Sequence, residues 1–408
     1  MTWADFCLRH FYEYTDVNMD NEWIWIEKAL GDRSLMPFVE FMALALYHPA
    51  KGYYVTQAMN IGARGDFYTS PHLSPVFGEC LARQVIDCWE IMGKPIAFEV
   101  IEMGAGQGIL AADILQAIAQ ICPELSKTLT YSIIERSQSL KLAQRHHLAT
   151  WGSIVQWREW ETIEPASIQG CFISNELVDA FPVHQVVWQD QALQEVYIGL
   201  DGDSVKEELG PLSTPELQEY FDRLGINFEH YPNGYRTEVN LNAIHWIQTL
   251  ADRLHHGYVL TIDYGYSADR YYSARRTDGT LQCYYQHQAN SNPYLNIGLQ
   301  DITAHVDFTT LAQRGEDAGL ITLGLTQQAY FLMALGLGDR IAALSQTETQ
   351  NIQEINNRLQ TRTALHKLID PTGLGNFYVL IQSKNLNTTE SSRSLRGLNV
   401  PERFSASQ

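Results

Sequence analysis

Glu99-Val-Ile-Glu-Met-Gly-Ala-Gly-Gln-Gly108 is the stretch on which the fold turns. An apolar run over 97–101 ends in Glu102, and three glycines follow at alternate positions: Gly104, Gly106 and Gly108. A helical pattern starts at once at Ile109. Strand, tight glycine turn and helix open a nucleotide-binding α/β unit. The spacing is G-x-G-x-G, because Ile109 directly follows Gly108. A dinucleotide site has G-x-G-x-x-G. The carboxylate of Glu102, two places before the first glycine, would also repel a pyrophosphate. It suits a ligand with an amino group, a ribose and a positive charge. Without a Cβ, the glycines let the backbone approach such a ligand closely.

Outward from this stretch, apolar runs alternate with helical patterns. The second strand, 129–134, ends in Glu135, and a helix follows through 140–145. Short strands are expected at 154–157 and 171–174, the latter leading into Asn175-Glu-Leu-Val-Asp-Ala-Phe-Pro-Val-His184. A fifth strand, 258–262, ends in Asp263, and the last covers 377–382. Such alternation implies a doubly wound, mostly parallel sheet. The pattern breaks over 186–235, 266–300 and 327–368, which read as insertions. Residues 1–94 read as a helical N-terminal region, in which Ser74-Pro75 is a helix start. The domain proper is then 95–383. From 384 onward Ser, Asn, Thr and Arg dominate, and a disordered tail over 384–408 is expected.

Composition excludes several classes. With 47 acidic against 28 basic residues the net charge is -19, which argues against a nucleic-acid surface. It fits a basic peptide or arginine-bearing protein as partner, and equally plain solubility. No apolar run reaches membrane-spanning length. The acid-rich start (Asp5, Glu13, Asp16, Asp20, Glu22) is wrong for a transit peptide. Six scattered cysteines show neither a disulfide framework nor metal-ligand spacing, so no metal is expected and a reducing cytoplasm is the default compartment.

Ligands of a doubly wound sheet lie beyond the carboxyl ends of its strands. Glu102, Glu135 and the pair Glu176/Asp179 all arrive there. The first group suits S-adenosylmethionine, and Glu135 can accept both hydroxyls of its ribose; a helix-capping acid would read the same way. Glu176 and Asp179 are three apart, and on a helical turn they would share one face. Two carboxylates so placed call for a cation, and a guanidinium matches them bidentately. Arginine is not readily deprotonated, so methylating it needs carboxylates that orient one nitrogen's lone pair. A solvated turn with a helix-start acid is the plainer alternative. His305, two residues before Asp307, could orient a carboxylate or a substrate. His184 and His287 are weaker candidates.

Leu46-Tyr-His-Pro, Gly65-Asp-Phe-Tyr-Thr-Ser-Pro71, Phe77-Gly-Glu, Glu102-Met-Gly-Ala-Gly-Gln-Gly, Asn175-Glu, Asp179-Ala, Pro182-Val-His, Asp263-Tyr-Gly and Thr303-Ala-His-Val-Asp-Phe occur in that order over 46–308. Together they resemble the MidA-like family of class I S-adenosylmethionine-dependent methyltransferases, which includes the mitochondrial protein arginine methyltransferase that assists assembly of respiratory complex I. The resemblance implies a Rossmann-like fold with inserted substrate or dimerisation elements. It implies cofactor contacts from Gly65, Asp66, Thr69, Ser70, Pro71, the Glu102–Gly108 loop, Glu135 and Asn175. Glu176, Asp179 and His305 are then the catalytic candidates. A protein substrate with a target arginine is implied, on a respiratory NADH dehydrogenase-type subunit, with monomer or homodimer left open. A methyltransferase of another substrate and an assembly factor using the cofactor structurally stay as alternatives; the glycine spacing disfavours a nicotinamide dehydrogenase. The first 30 residues carry no family motif, and Gly373-Leu-Gly-Asn-Phe-Tyr departs from the Met-Gly-x-x-Phe-Lys form of relatives.

Overall fold

The apolar run before the glycines becomes an inner strand of a seven-stranded sheet. The computed structural model describes residues 24–56, 69–202, 204–346 and 351–399. The chain divides into two compact units. One, the nucleotide-binding unit, comprises Tyr68–Leu177, Gln248–Tyr264 and Arg314–Gln408. Its strands are β1 (Phe98–Met103), β2 (Leu129–Ile134), β3 (Val155–Arg158), β4 (Ile168–Asn175), β5 (Leu254–Asp263), β6 (Ile321–Gln327) and β7 (Tyr378–Lys384). They lie in the order β6-β7-β5-β4-β1-β2-β3. All neighbours pair in parallel except β7, which runs antiparallel to both β5 and β6. The dinucleotide fold has the order 3-2-1-4-5-6. A reversed strand between the fifth and sixth is the difference.

The sheet reverses direction of winding between β1 and β4, and a ligand crevice opens at such a switch point. Register places Met103 beside Ser174 and Ile134, and Asn175 beside Ile262. The residues that leave β1, β2, β4 and β5 therefore emerge at one edge. Helices α1 (Val76–Ile91), α2 (Ile109–Ile121) and α3 (Gln138–His147) cover the sheet. The Ser74 hydroxyl accepts from Val76 N at 3.3 Å, but α1 starts at Val76 with Pro75 as its cap, one residue later than the Ser74-Pro75 start expected. Gly78 is where α1 and α2 touch: a Cβ there would collide with the Cβ of Asp113. Between β6 and β7 stand the helices Gln328–Ala334, Leu337–Gln346 and Ile352–Leu368, the expected helical insert.

The tail departs from expectation. β7 runs to Lys384, and Asn387 and Glu390 form a reciprocal capping box on the turn Thr388–Ser391. Leu395 is buried, Arg396 N donates to Asp87 Oδ2 at 2.8 Å, and Gly397 N donates to Gln84 Oε1 at 2.9 Å. Composition suggested disorder, but one apolar anchor and a few backbone donors aimed at α1 hold 384–399 in place. Residues 400–408 lie outside the described residues.

The second unit comprises Met1–Phe67, Val178–Ile247 and Gly265–Gln313. Its sheet holds Met36–Pro37, Ala192–Asp201, His184–Gln189 and Tyr235–Val239 in that order, with Ser204–Gly210 pairing to Ala192–Asp201. The helix Phe38–Tyr47 and the amphipathic Glu216–Leu224 pack within this unit. A three-stranded sheet (Gln282–Tyr285, Gln288–Asn290, Asp301–Thr303) organises much of the long excursion after β5. The helical stretch expected over 1–94 is thus shared between the two units. Among the described residues no helix is long and apolar enough to cross a membrane.

Candidate active site

The loop after β1 is a cradle. Gly104, Gly106 and Gly108 all adopt left-handed φ, of 73°, 52° and 82°. A Cβ on Gly106 would meet nothing within 4 Å, so open space faces that residue. Gly108 caps α2 without any side-chain hydrogen bond, leaving the helix's first N–H groups to an anion such as a ligand carboxylate. Glu102 is buried at the end of β1 and accepts from the Tyr131 hydroxyl at 2.8 Å. Burial pushes its carboxyl up to about 7, against the Tyr131 bond and with help from the charge of Glu135.

Glu135 follows β2 with one carboxylate oxygen accepting from Arg136 N (2.8 Å) and Ser137 N (2.9 Å). Its other oxygen accepts from Gln144 Nε2 at 3.1 Å. The same Nε2 donates to the Gly106 carbonyl at 2.8 Å, and Gln144 Oε1 accepts from Trp157 Nε1 at 2.8 Å. Gln144 is fully buried. One amide on α3 therefore ties the glycine cradle, the Glu135 carboxylate and β3 together. Sequence reasoning passed over Gln144. Its spacing of four from Leu140, on the inward helical face, was the available signal. Burial raises the Glu135 carboxyl, while bonds from Ser137, Arg136 and Gln144 and the charge of Lys141 favour its ionised form.

Beyond β4 the backbone is strained. Glu176 has φ 50°, a left-handed conformation uncommon outside glycine. Its N–H donates to Ile262 O at 2.9 Å, and its Oε1 accepts from Ser70 N (3.1 Å) and Asn175 Nδ2 (3.0 Å). Asn175 Oδ1 is buried with no partner among the described residues, so it can take a ligand's donor. Asp263, at the end of β5, accepts from Leu177 N (3.2 Å) and Tyr264 N (2.9 Å) and pins the turn. Ser70 also donates to Gln328 Oε1 (3.3 Å), and Thr69 bonds His72 Nδ1 (2.6 Å), with Pro71 between them. Gly65 and Asp66 lie outside the described residues.

The helical spacing expected of Glu176 and Asp179 does not form. Glu176 sits in a left-handed bend, and the 3-10 turn that contains Asp179 starts only at Val178. Asp179 belongs to the second unit, where it is buried and its carbonyl accepts from Ala304 N at 2.9 Å. Beside it, Tyr54 donates to buried Asp301 at 2.9 Å and stacks on Tyr47, whose hydroxyl donates to Ala180 O at 2.8 Å. Burial, then Asp301, Tyr47 and Asp179, keep the Tyr54 hydroxyl protonated.

His305 lies flat against Tyr266, ring centres 4.9 Å apart. Burial pushes its imidazole down to about 4, and the Arg276 charge adds to this, so it is neutral near pH 7. Asp307 is occupied elsewhere: it caps the helix Phe308–Asp317 through Thr309 N and Thr310 N and accepts from the Tyr220 hydroxyl at 2.8 Å. His184 is tied to buried Glu195 at 2.7 Å inside its sheet, and His287 occupies the tight turn between Gln282–Tyr285 and Gln288–Asn290.

Residues 80–326 match the model of a family of S-adenosyl-L-methionine-dependent methyltransferases. Protein arginine methyltransferase NDUFAF7, mitochondrial, of Mus musculus is 30% identical over 87% of this chain and 83% of its own length. The Homo sapiens counterpart is 28% identical over 88% and 82%. A Burkholderia thailandensis crystal structure with bound S-adenosyl-homocysteine is 30% identical, covers 94% of this chain and 95% of its own, and gives a TM-score of 0.80. A likeness this extensive, in sequence and in a fold built around the glycine cradle, makes the chain a member of the MidA-like family of S-adenosyl-L-methionine-dependent methyltransferases.

Proposed function

We propose that this enzyme methylates an arginine side chain of a protein, and that the protein is a subunit of a respiratory NADH dehydrogenase-type complex. The observation that carries the reading is the strained Glu176, whose carboxylate is held at the switch point by Ser70 N and Asn175 Nδ2. The names of the mitochondrial relatives support arginine as the acceptor. When bound, S-adenosyl-L-methionine supplies a methyl group on a sulfonium, open to in-line displacement. The glycine loop, Glu102 and Asn175 would hold its methionine part, and Glu135 its ribose. Glu176 and Asp179 would hold the target guanidinium, drawing positive charge to one nitrogen and freeing the lone pair of another. A carboxylate then takes the proton that the alkylated nitrogen gives up. Alignment supplies much of the rate, since effective molarities reach roughly 10⁵ M. His305, neutral and stacked, is best suited to shaping the substrate's path.

The test is incubation of enzyme, cofactor and purified NADH dehydrogenase subunits, followed by mass spectrometry. An ω-N-methylated arginine, absent with Asp179→Asn, is expected; methyl on another residue type refutes the reading.

Two outcomes follow for cofactor binding. Glu102 can pair with the cofactor's ammonium only when ionised, so affinity should rise as pH climbs through about 7. Calorimetric titration near pH 6 and pH 8 should show this, and Glu102→Gln should flatten it. The linked stability has the opposite sense. A carboxyl raised from 4.5 to about 7 contributes stability that is full below 4.5 and is lost as pH rises through about 7. Gln144→Leu removes three hydrogen bonds, two of them to the Gly106 carbonyl and the Glu135 carboxylate. At roughly 1 kcal/mol each, felt only in part by the ligand, their loss should weaken cofactor binding about tenfold. Equal affinity in that variant would reduce Gln144 to packing.

A further inference from the structure

The segment Asp269–Gly279 of the second unit lines an open cleft of about 570 Å³. Three arginines face it: Arg270, Arg275 and Arg276. Arg33, Arg158, Arg236, Arg340, Arg358 and Arg396 all pair with carboxylates. Among the described residues none of the three does so, and none of their guanidiniums makes a hydrogen bond; Arg83, Arg145 and Arg362 also lack a carboxylate partner, but only Arg270, Arg275 and Arg276 cluster on one cleft. Arg276 Nε is buried with no hydrogen-bond partner among the described residues. An orphaned buried donor calls for an acceptor.

Two of the three lie against one aromatic ring. The guanidinium carbons of Arg270 and Arg276 lie 5.2 and 4.4 Å from the centre of the Tyr266 ring, which itself stacks on His305. A planar guanidinium fixed on an aromatic ring keeps its in-plane donors for a bidentate acceptor. The rim also carries Asp269 and Asp278, and Asp278 accepts from the Thr277 hydroxyl at 3.2 Å. These carboxylates weaken any diffuse positive field, so recognition must come from direct contact with the stacked pair.

We propose that this cleft binds acidic side chains, Asp or Glu, of the protein substrate, and so selects substrates with a carboxylate-bearing segment. The inference rests on the reading that the substrate is a protein. Guanidinium forks left free on an aromatic ring suit a planar bidentate oxyanion, which on an unmodified protein is a carboxylate; an open cleft admits a peptide chain, and the volume accommodates one or two side chains. The remaining surface, being acidic, repels such a segment elsewhere.

The experiment uses the full-length protein and fluorescein-labelled (Glu-Gly)₄ with its (Gln-Gly)₄ counterpart, read by anisotropy. The Glu peptide is expected to bind at least tenfold tighter than the Gln peptide. Arg270→Gln with Arg276→Gln should remove that margin. The charge-conserving double Lys variant, which keeps the charge but loses the stacked fork, should weaken binding at least threefold. Equal binding of the two peptides, or unchanged binding in the double Gln variant, overturns the proposal. So does competition by inorganic phosphate at the peptide's own affinity, which would mark a site for a free anion. No cofactor or turnover is involved. Loss of peptide binding therefore leaves arginine methylation intact, and absence of methylation leaves the cleft intact.

Discussion

Glu176→Gln is expected to cut methyl transfer by 10²–10³-fold while leaving S-adenosyl-L-methionine affinity within about threefold, a scale typical of removing one charge-stabilising group. Glu176 Oε1 accepts two hydrogen bonds, from Ser70 N and Asn175 Nδ2. Glutamine can keep both only by presenting its carbonyl oxygen to them. Its NH₂ must then occupy the second oxygen's place. There it offers donors to a guanidinium that has donors only. The variant is nearly isosteric, so the strained bend at φ 50° and its packing survive. The clamp is lost and the cradle is not. Glu176→Asp separates charge from reach. Aspartate tolerates the left-handed backbone and keeps the charge, but withdraws it by one methylene. It should lie between the parent and the Gln variant. Single-turnover assays with calorimetry of cofactor binding give both halves of the expectation. Near-parental turnover in Glu176→Gln would remove Glu176 from the chemistry.

How much of this was legible in the sequence depends on how local the cause is. The glycine loop, Glu102 and Glu135 are set by strand ends and a turn, and their positions on β1 and β2 could be read from apolar runs and glycine spacing. The reversed β7 could not, because an apolar run carries no strand direction. The pair Glu176/Asp179 was read as one helical turn. The left-handed φ of Glu176 follows from contacts distant in sequence, its N–H to Ile262 O and its carboxylate to Ser70 N. Gln144 looked like an ordinary polar residue among Leu140-Lys-Leu-Ala-Gln-Arg145; only tertiary contact shows a buried hub. The second unit draws on three separated segments. A pass along the chain lists such segments as separate insertions, because what joins them is pairing such as Met36 with Ile198.

Gly106→Val should abolish cofactor binding, raising the dissociation constant by more than 100-fold, while leaving most of the fold in place. Two costs combine. A β-branched residue at φ 52° meets left-handed strain of roughly 1–2 kcal/mol. The fold absorbs this, because a Cβ at that position meets nothing of the protein within 4 Å. On the proposed assignment of this loop to the cofactor, the side chain fills ligand space instead, and there the penalty falls on binding. Gly106→Ala adds one carbon to the same space and should cost about tenfold. A graded loss from Ala to Val, with melting curves of the free proteins displaced by only a few degrees, would locate the defect in the cradle. Collapse of the melting transition in the Ala variant would instead make Gly106 a folding residue. The Val variant also separates enzyme from scaffold. On the proposed function, a protein partner that still binds it and a respiratory complex that still assembles with an unmethylated arginine would make methyl transfer dispensable for assembly. If binding persists and assembly stops, assembly requires the occupied cofactor site or the methyl group, and the Glu176→Gln variant, which keeps the cofactor, separates the two.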